Sequence, residues 1–194
     1  MLNEIVELIN QNIAQAKASL QSPAEDGAGD SSILIEASSV LDVCKFLKEN
    51  DKISFNALQA ISGVDYTDYI EVCYMLANFD LEHHRQVILK TRLTDRVSPE
   101  LDSVHELWLA ANWQERECYD MLGVSFKNHP DPRRILCPDD WEGFPLRKDY
   151  MAAKTYRGME VYPEDKMNKE DREFIVRQKQ MEAELVKKSL EKGL

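Results

Sequence analysis

Two adjacent stretches of alternating apolar residues constrain the fold of this chain more than any other feature of its sequence. In residues 69–77 and in residues 86–93, apolar or β-branched side chains recur at every second position. A period of two places these side chains on one face of a β-strand. Because only a short polar stretch, residues 78–84, separates the two runs, the sequence predicts a β-hairpin.

Helical and strand patterns precede this hairpin. Residues 3–20 repeat apolar side chains at helical spacing, and residues 33–35 form a short apolar run typical of a buried strand. Ser39 with Asp42 matches a capping box that would open a second helix. The side chains that this helix would turn inward are Val40, Val43, Cys44 and Leu47.

The element order predicts the fold class. Residues 53–64 are compatible with either a short helix or a strand, and the hairpin follows them. We therefore predict an α+β fold, in which a small antiparallel or mixed sheet has its helices on one side. An extended C-terminal arm and a terminal helix are predicted to follow it.

A third helix is predicted from Ser103 to Gly123, with Gly123 as the residue that ends it. Its apolar stripe contains a carboxylate, Glu115, in the middle. A buried carboxylate is costly unless it is paired, so Glu115 should have a partner in this chain or in another. The candidates within the chain are Arg116, Arg133 and Arg134.

The pattern of the chain changes after residue 126. Residues 127–150 contain four prolines, which exclude a long helix or a central strand, yet this stretch is too apolar for a free linker. An extended arm that packs its apolar side chains onto its own domain or a partner explains both facts. We predict an acidic α+β domain over 1–126, a docking arm over 127–163 and a charged C-terminal helix or tail over 164–194.

Charge and motifs exclude several functions. The chain has a formal charge of −11, and residues 1–126 hold 9 basic against 21 acidic side chains, which disfavours nucleic acid and anionic lipid as partners. The sequence has no apolar stretch of transmembrane length, no cysteines at metal-binding spacing and no nucleotide-binding loop. We predict no catalytic, cofactor-binding or metal-binding residues in this chain. The alternative is an enzyme or metal protein built from scattered cysteines, histidines and carboxylates.

Two segments carry a resemblance to a known family. ERECYDMLGVSFKNHPDPRRIL (residues 115–136) and DWEGFPLRKDY (residues 140–150) resemble the two halves of the signature of the 30 kDa-type subunit, the smaller hydrophilic subunit of complex I. The positions to which the resemblance assigns a structural and partner-docking role are Glu115, Arg116, Glu117, Asp120, Gly123, His129, Pro130, Arg133, Arg134, Trp141, Gly143, Pro145, Leu146, Arg147, Lys148, Asp149 and Tyr150.

The resemblance implies a non-catalytic subunit in the peripheral arm of a proton-translocating NADH:quinone oxidoreductase. Its partners would be other hydrophilic subunits, chiefly the large quinone-site subunit. FMN, iron–sulfur clusters and quinone would be held by those partners. The chain would lie on the cytoplasmic face of the cell membrane and be attached to it indirectly. Ferredoxin-dependent, methanogen and hydrogenase complexes contain the same type of subunit and remain alternatives.

The resemblance also suggests what the charged cluster does. Glu115, Arg116, Glu117 and Asp120 are expected to form an ion-pair network that ties the third helix to the arginines of the arm. Catalysis by this cluster is disfavoured, because carboxylates two positions apart point to different sides of a helix. His129 is predicted to be a hydrogen-bonding anchor.

Overall fold

The structure is a computed structural model that describes residues 2–23, 30–79, 85–161 and 169–191. The chain divides into two compact units, Met1–Leu146 and Arg147–Leu194. The domain boundaries predicted after residues 126 and 163 remain predictions. Most of the predicted turn between the two alternating runs, residues 80–84, lies outside the described residues.

A mixed five-stranded sheet forms the centre of the first unit, in the order β1-β2-β5-β4-β3. The strands are β1 (Ser19–Gln21), β2 (Ser32–Ile35), β3 (Ala57–Asp65), β4 (Ile70–Asn78) and β5 (Arg85–Leu93). β4 and β5 pair antiparallel from Ile70 opposite Leu93 to Asn78 opposite Arg85, which confirms the predicted hairpin. β2 pairs with β5 in parallel and makes the sheet mixed. Residues 53–64, for which the sequence allowed either a short helix or a strand, form mainly strand β3.

Among the described residues, three α-helices complete this unit and confirm the predicted α+β class. They are α1 (Leu2–Asn12), α2 (Val40–Glu49) and α3 (Ala111–Leu122). The four side chains predicted to face inward from α2 are all fully buried. α3 packs closely on β3, where the space beside Gly63 is filled by the side chains of Leu122 and Cys118.

The first helix is shorter than predicted. α1 ends at Asn12 instead of continuing to residue 20, and Lys17 then adopts a left-handed conformation with φ of 43°. The Asn10 amide group donates to the carbonyl of Ala18 and accepts from its N–H, both at 2.8 Å. Residues 19–21 can therefore leave the helix and pair with β2.

The capping box predicted at Ser39 is absent. Ser39 precedes α2, but its side chain makes no cap hydrogen bond. A single turn of 3-10 helix, Ala37–Ser39, leads directly into α2 instead. The backbone is therefore already helical where α2 begins.

The third helix begins eight residues later than predicted. Residues 100–102 form a short strand, β6 (Glu100–Asp102), which pairs in parallel with β7 (Ser125–Lys127). Ser103 follows this strand, and α3 begins only at Ala111. The helix ends as predicted at Gly123, whose φ of 75° is left-handed and whose N–H bonds to the carbonyl of Tyr119.

The second unit contains a two-stranded ribbon and a long helix. The ribbon pairs β8 (Thr155–Tyr156) with β9 (Met159–Glu160), and the helix is α4 (Lys169–Glu191). The predicted C-terminal helix is therefore confirmed over these residues. None of the helices in the described ranges is long and apolar enough to cross a membrane.

Candidate functional site

The signature residues 115–136 fold as the rest of α3, the turn at Gly123, strand β7 and the start of an irregular segment. Residues 128–146, here called the clamped segment, contain neither helix nor strand. They return along α3, and the N–H of Leu146 donates to the carbonyl of Met121 at 3.0 Å. Three side chains of α3, Glu115, Arg116 and Asp120, make the polar contacts of this site.

Glu115 is fully buried, as the sequence predicted, but the arginines are not its partners. The Ser103 hydroxyl donates to Glu115 Oε2 at 2.6 Å, and the N–H of Val104 donates to Oε1 at 2.8 Å. The predicted pairing with Arg116, Arg133 or Arg134 is therefore wrong. Glu115 points from α3 toward the end of β6, whereas Arg133 and Arg134 lie on the clamped segment and Arg116 bonds to it.

The surroundings of Glu115 change its acidity. Burial raises the pKa of its carboxyl to about 7, although the hydrogen bonds from Ser103 and Val104 act in the opposite direction. Burial also raises the pKa of the neighbouring Cys118 thiol to about 12, so this thiol is protonated at neutral pH. The Cys118 thiol is thus held in its weakly nucleophilic form.

His129 joins the clamped segment to α3, as the predicted hydrogen-bonding anchor. Its Nδ1 accepts the N–H of Asp131 at 3.0 Å, and its Nε2 lies 3.0 Å from the carbonyl oxygen of Asn112. Nε2 is also 3.8 Å from Glu115 Oε2. Nδ1 therefore faces the backbone of the clamped segment, and Nε2 faces α3.

Asp120 holds the clamped segment through a set of charge-assisted hydrogen bonds. The Arg134 guanidinium donates to its Oδ1 at 2.7 Å, and both side chains are almost fully buried. Its Oδ2 accepts three consecutive backbone N–H groups, from Ile135 at 3.0 Å, Leu136 at 2.7 Å and Cys137 at 2.8 Å. Burial tends to raise the pKa of the Asp120 carboxyl, but these bonds outweigh it and lower the pKa below its ordinary value.

Arg116 binds the same segment from the next turn of α3. Its Nε donates to the carbonyl of Arg133 at 3.0 Å and its Nη2 to the carbonyl of Arg134 at 3.1 Å. Asp131 lies 3.4 Å from Nη1, and the guanidinium sits over the ring of Trp113. The predicted network between helix and arm is therefore present for Arg116, Asp120 and Arg134.

Aromatic packing fixes the far end of the clamped segment. Arg134 donates to the carbonyl of Gly143 at 2.9 Å and lies over the Phe144 ring. That ring packs edge-on against Tyr119 and covers the backbone of Gly123, where an added Cβ would approach it to 2.5 Å. The left-handed glycine at the end of α3 is thus also a contact point for the segment.

The remaining predicted positions lie outside this network or at its edge. Glu117 is exposed on α3, and Arg133 is exposed and bonded to Asp131. The N–H of Trp141 donates to the carbonyl of Pro138. The positions that lie on the exposed or half-buried surface of the clamped segment are Pro130, Trp141, Gly143, Pro145 and Leu146. The positions that belong to the second unit are Arg147, Lys148, Asp149 and Tyr150.

Sequence reasoning missed two parts of the site. Ser103 was interpreted as the start of a helix, although its hydroxyl is the donor to Glu115. A serine shortly before a helix can either begin the helix or donate to one of its side chains, so its position in the sequence does not separate the two roles. The three N–H groups bound by Asp120 carry no signal at all, because every residue except proline has one.

The site offers little to a metal ion. Over the described ranges, no group of three or more His, Cys, Asp or Glu side chains is arranged to hold one. The cysteines are unpaired thiols, of which Cys44, Cys73 and Cys118 are buried.

Comparisons with known proteins identify the family. The family model for the 30 kDa subunit of respiratory-chain NADH dehydrogenase matches residues 33–156. An NADH-quinone oxidoreductase subunit of Chloroherpeton thalassium is 46% identical over 118 residues, which cover 60% of this chain and 48% of that protein. The protein of the same name from Chlorobium phaeobacteroides is 46% identical over 123 residues, 62% of this chain and 72% of that one. The matched region is thus about half of the first relative.

A solved structure agrees with these relatives. A chain of the membrane-bound sulfane sulfur reductase, an archaeal respiratory membrane complex, superposes with a TM-score of 0.63 at 26% identity. The match covers 86% of this chain and 97% of that chain. The family model alone matches well over half of the chain, and strands β3, β4 and β5, helix α3 and the clamped segment lie within it. The chain therefore belongs to the family of the 30 kDa subunit of respiratory-chain NADH dehydrogenase.

Proposed function

We propose that this chain is a non-catalytic structural and assembly subunit in the peripheral arm of a proton-translocating NADH:quinone oxidoreductase. The observation that carries the proposal is the clamp from α3 onto residues 128–146. The charged signature residues Arg116, Asp120 and Arg134 are used to fix the shape of an irregular segment. Because these side chains hold the backbone of the segment in place, we interpret them as supporting a binding surface and not as catalytic groups.

The clamped segment is suited to docking. Leu136 is 63% exposed and Leu146 is 59% exposed, and Trp113 of the adjoining α3 is 64% exposed. Large apolar side chains on a segment of fixed shape favour association, because little conformational freedom remains to be lost on binding. We propose that the segment His129 to Tyr150 docks onto other hydrophilic subunits, chiefly the large quinone-site subunit.

The chemistry of the site supports a subunit without a catalytic role. Glu115 is buried while Glu117 is exposed on the same helix, so the two carboxylates do not face a common substrate. We propose that FMN, the iron–sulfur clusters and quinone are held by partner subunits, which pass electrons from NADH to quinone. The chain would then lie peripherally on the cytoplasmic face of the membrane, attached through those partners.

A related complex is the second candidate. The structural match to a chain of a sulfane sulfur reductase favours it, because that respiratory complex is named for a different reaction. An equivalent subunit in a ferredoxin-dependent, methanogen or hydrogenase complex would use the same docking surface. The identity of the co-purified electron-input subunits separates these possibilities.

The test is purification of the full-length tagged chain from native membranes, with its companions identified by mass spectrometry. We expect the double variant Leu136→Asp with Leu146→Asp to reduce recovery of the quinone-site subunit by roughly tenfold or more, because a carboxylate would be buried at the interface. The control is Val97→Asp, since Val97 is 91% exposed and lies outside the segment. Equal recovery with both variants would contradict docking through this segment.

A further inference from the structure

A pocket of about 230 Å³ lies beside the buried carboxylate of Glu115. We call it the Glu115 pocket, and the residues that line it are Glu115, Arg116, Tyr119, Ser125, Phe126, His129 and Pro132. Its volume is sufficient for the end of one long side chain. The clamp between α3 and residues 128–146 leaves this space open.

Among the residues that the structure describes, no lysine or arginine pairs with the carboxylate in this pocket, and its ion-pair contact is with the His129 imidazole. Its two hydrogen bonds come from neutral donors, a hydroxyl and a backbone N–H. The Nε2 of His129 lies 3.8 Å from Oε2, beyond hydrogen-bond distance, and is closer to the Asn112 carbonyl oxygen at 3.0 Å. A carboxylate has room for about four hydrogen bonds, so acceptor capacity remains on Glu115.

The other charged side chain at the pocket, Arg116, is already bonded to the clamped segment. Arg116 donates to the carbonyl oxygens of Arg133 and Arg134, and its charge is balanced by Asp131 at 3.4 Å. It therefore contributes to the wall of the pocket while its guanidinium is bonded to the clamped segment.

The remaining walls suit an aliphatic stem. Tyr119, Phe126 and Pro132 present two aromatic rings and a pyrrolidine ring to the cavity. Aromatic faces attract cations, and methylene groups pack well against such rings. A carboxylate together with aromatic and apolar walls is the arrangement that receives a long basic side chain.

We propose that the Glu115 pocket binds the ammonium or guanidinium group of a lysine or arginine side chain from a partner subunit. The proposal rests on the proposed function, because docking supplies the partner. Its distinct content is charge complementarity: the buried carboxylate has no lysine or arginine partner among the described residues of its own chain, and the partner subunit provides one.

The first test is binding of small probes to the ¹⁵N-labelled full-length chain at pH 8, where Glu115 is ionised. The probes are the methylamides of N-acetyl-lysine and N-acetyl-arginine, and the uncharged control is that of N-acetyl-norleucine. We expect saturable amide shifts at Val104 and His129 with the basic probes alone. Equal shifts with the norleucine probe, or no saturable shift at these amides, would overturn the proposal.

A matched pair of variants assigns the binding to the pocket. In Glu115→Gln the amide can still accept from Val104 and donate to the Ser103 hydroxyl, so the fold is kept while the charge is lost. We expect the shifts to disappear in this variant and to persist in Glu117→Gln, whose exposed carboxylate lies on the same helix. Shifts that survive Glu115→Gln would show that the probes bind elsewhere.

The second test separates this proposal from the proposed function. A photo-crosslinking residue is placed at Ser125, which is exposed and lines the pocket, and the intact complex is irradiated. We expect an adduct on another subunit within a few residues of a lysine or arginine. A purified complex that contains the chain but gives no such adduct overturns only the pocket proposal. A chain that does not co-purify with the complex overturns the proposed function itself.

Discussion

In the sheet of the first unit the stabilising contacts are mainly apolar, whereas in the clamped segment they are hydrogen bonds to a few side chains of α3. Tyr74, Leu76 and Leu89 are fully buried between the sheet and its helices. Ile135 is only half-buried and Leu136 is mostly exposed, yet both have their N–H groups fixed by Asp120. The two regions should therefore respond differently to the same kind of change.

The difference shows how an irregular segment can be as well defined as a sheet. Apolar burial is spread over dozens of contacts, so no single side chain is indispensable to the sheet. The clamped segment instead depends on a few polar groups whose loss leaves buried donors unsatisfied. Changes to single side chains and to pH can therefore separate the two regions.

The largest effect is expected for Asp120→Asn. The amide removes the negative charge that binds Arg134, and loss of one partner of a buried ion pair typically costs about 3–5 kcal/mol. We expect the amides of residues 135–137 to lose protection in hydrogen exchange while those of β4 keep theirs. The control is Asp139→Asn, an exposed carboxylate in the same segment. Simultaneous loss of protection in β4 would show that the two regions are not independent.

The next effect concerns pH and the charge of Glu115. Because its pKa is raised to about 7 in the folded chain, the folded state binds the proton more tightly than the unfolded state. The free energy of unfolding should fall as pH rises from about 4.5 to 7, by about 3 kcal/mol at this site. We expect Glu115→Gln to remove this decline, as measured by urea unfolding at pH 5 and pH 8. An unchanged decline would assign it to another group.

Asp120 should behave in the opposite way in the wild-type chain. Its lowered pKa means that its contribution is complete above the unfolded value of about 3.9 and is lost as pH falls below it. Loss of exchange protection at residues 135–137 near pH 3 would therefore come from Asp120 and not from Glu115.

A smaller effect is expected for Gly123→Ala. The left-handed φ of 75° costs a non-glycine residue about 1–2 kcal/mol, and the added Cβ would also displace the Phe144 ring. Gly158→Ala is the matched control, because its φ of 79° is similar but nothing lies within 4 Å of the added Cβ. We expect Gly123→Ala to lower the melting temperature more than the control. Equal decreases in melting temperature for the two variants would mean that the Phe144 ring moves aside without a loss of stability.

The smallest effect is expected for Arg133→Ala. Its side chain is 73% exposed, and an exposed ion pair of this kind contributes little to stability because solvent screens it. Arg134→Ala, at the next position, removes a side chain that is 12% exposed and bonded to Asp120. Urea unfolding should separate the two by about 2 kcal/mol or more. Equal losses would contradict the distinction between clamp and surface.

Periodicity explains what the sequence could predict. The hairpin and the inward face of α2 have repeating apolar patterns, and the structure has both. The end of α1 was missed because Asn10 stops the helix through contacts with Ala18, although helical spacing continues beyond that point. The burial of Glu115 was predictable from its place in an apolar stripe. The partners of Glu115 were not predictable, because helix α3 begins later along the chain than its apolar pattern does.

The turn at residues 135–137 has a further consequence. Three successive N–H groups that converge on one oxygen form an anion-binding nest, the geometry that other proteins use to hold a phosphate group. Here the anion is the Asp120 carboxylate of the same chain, which α3 holds at the nest. The three N–H groups are therefore already bonded in the folded chain, and a free anion would have to displace Asp120 to reach them.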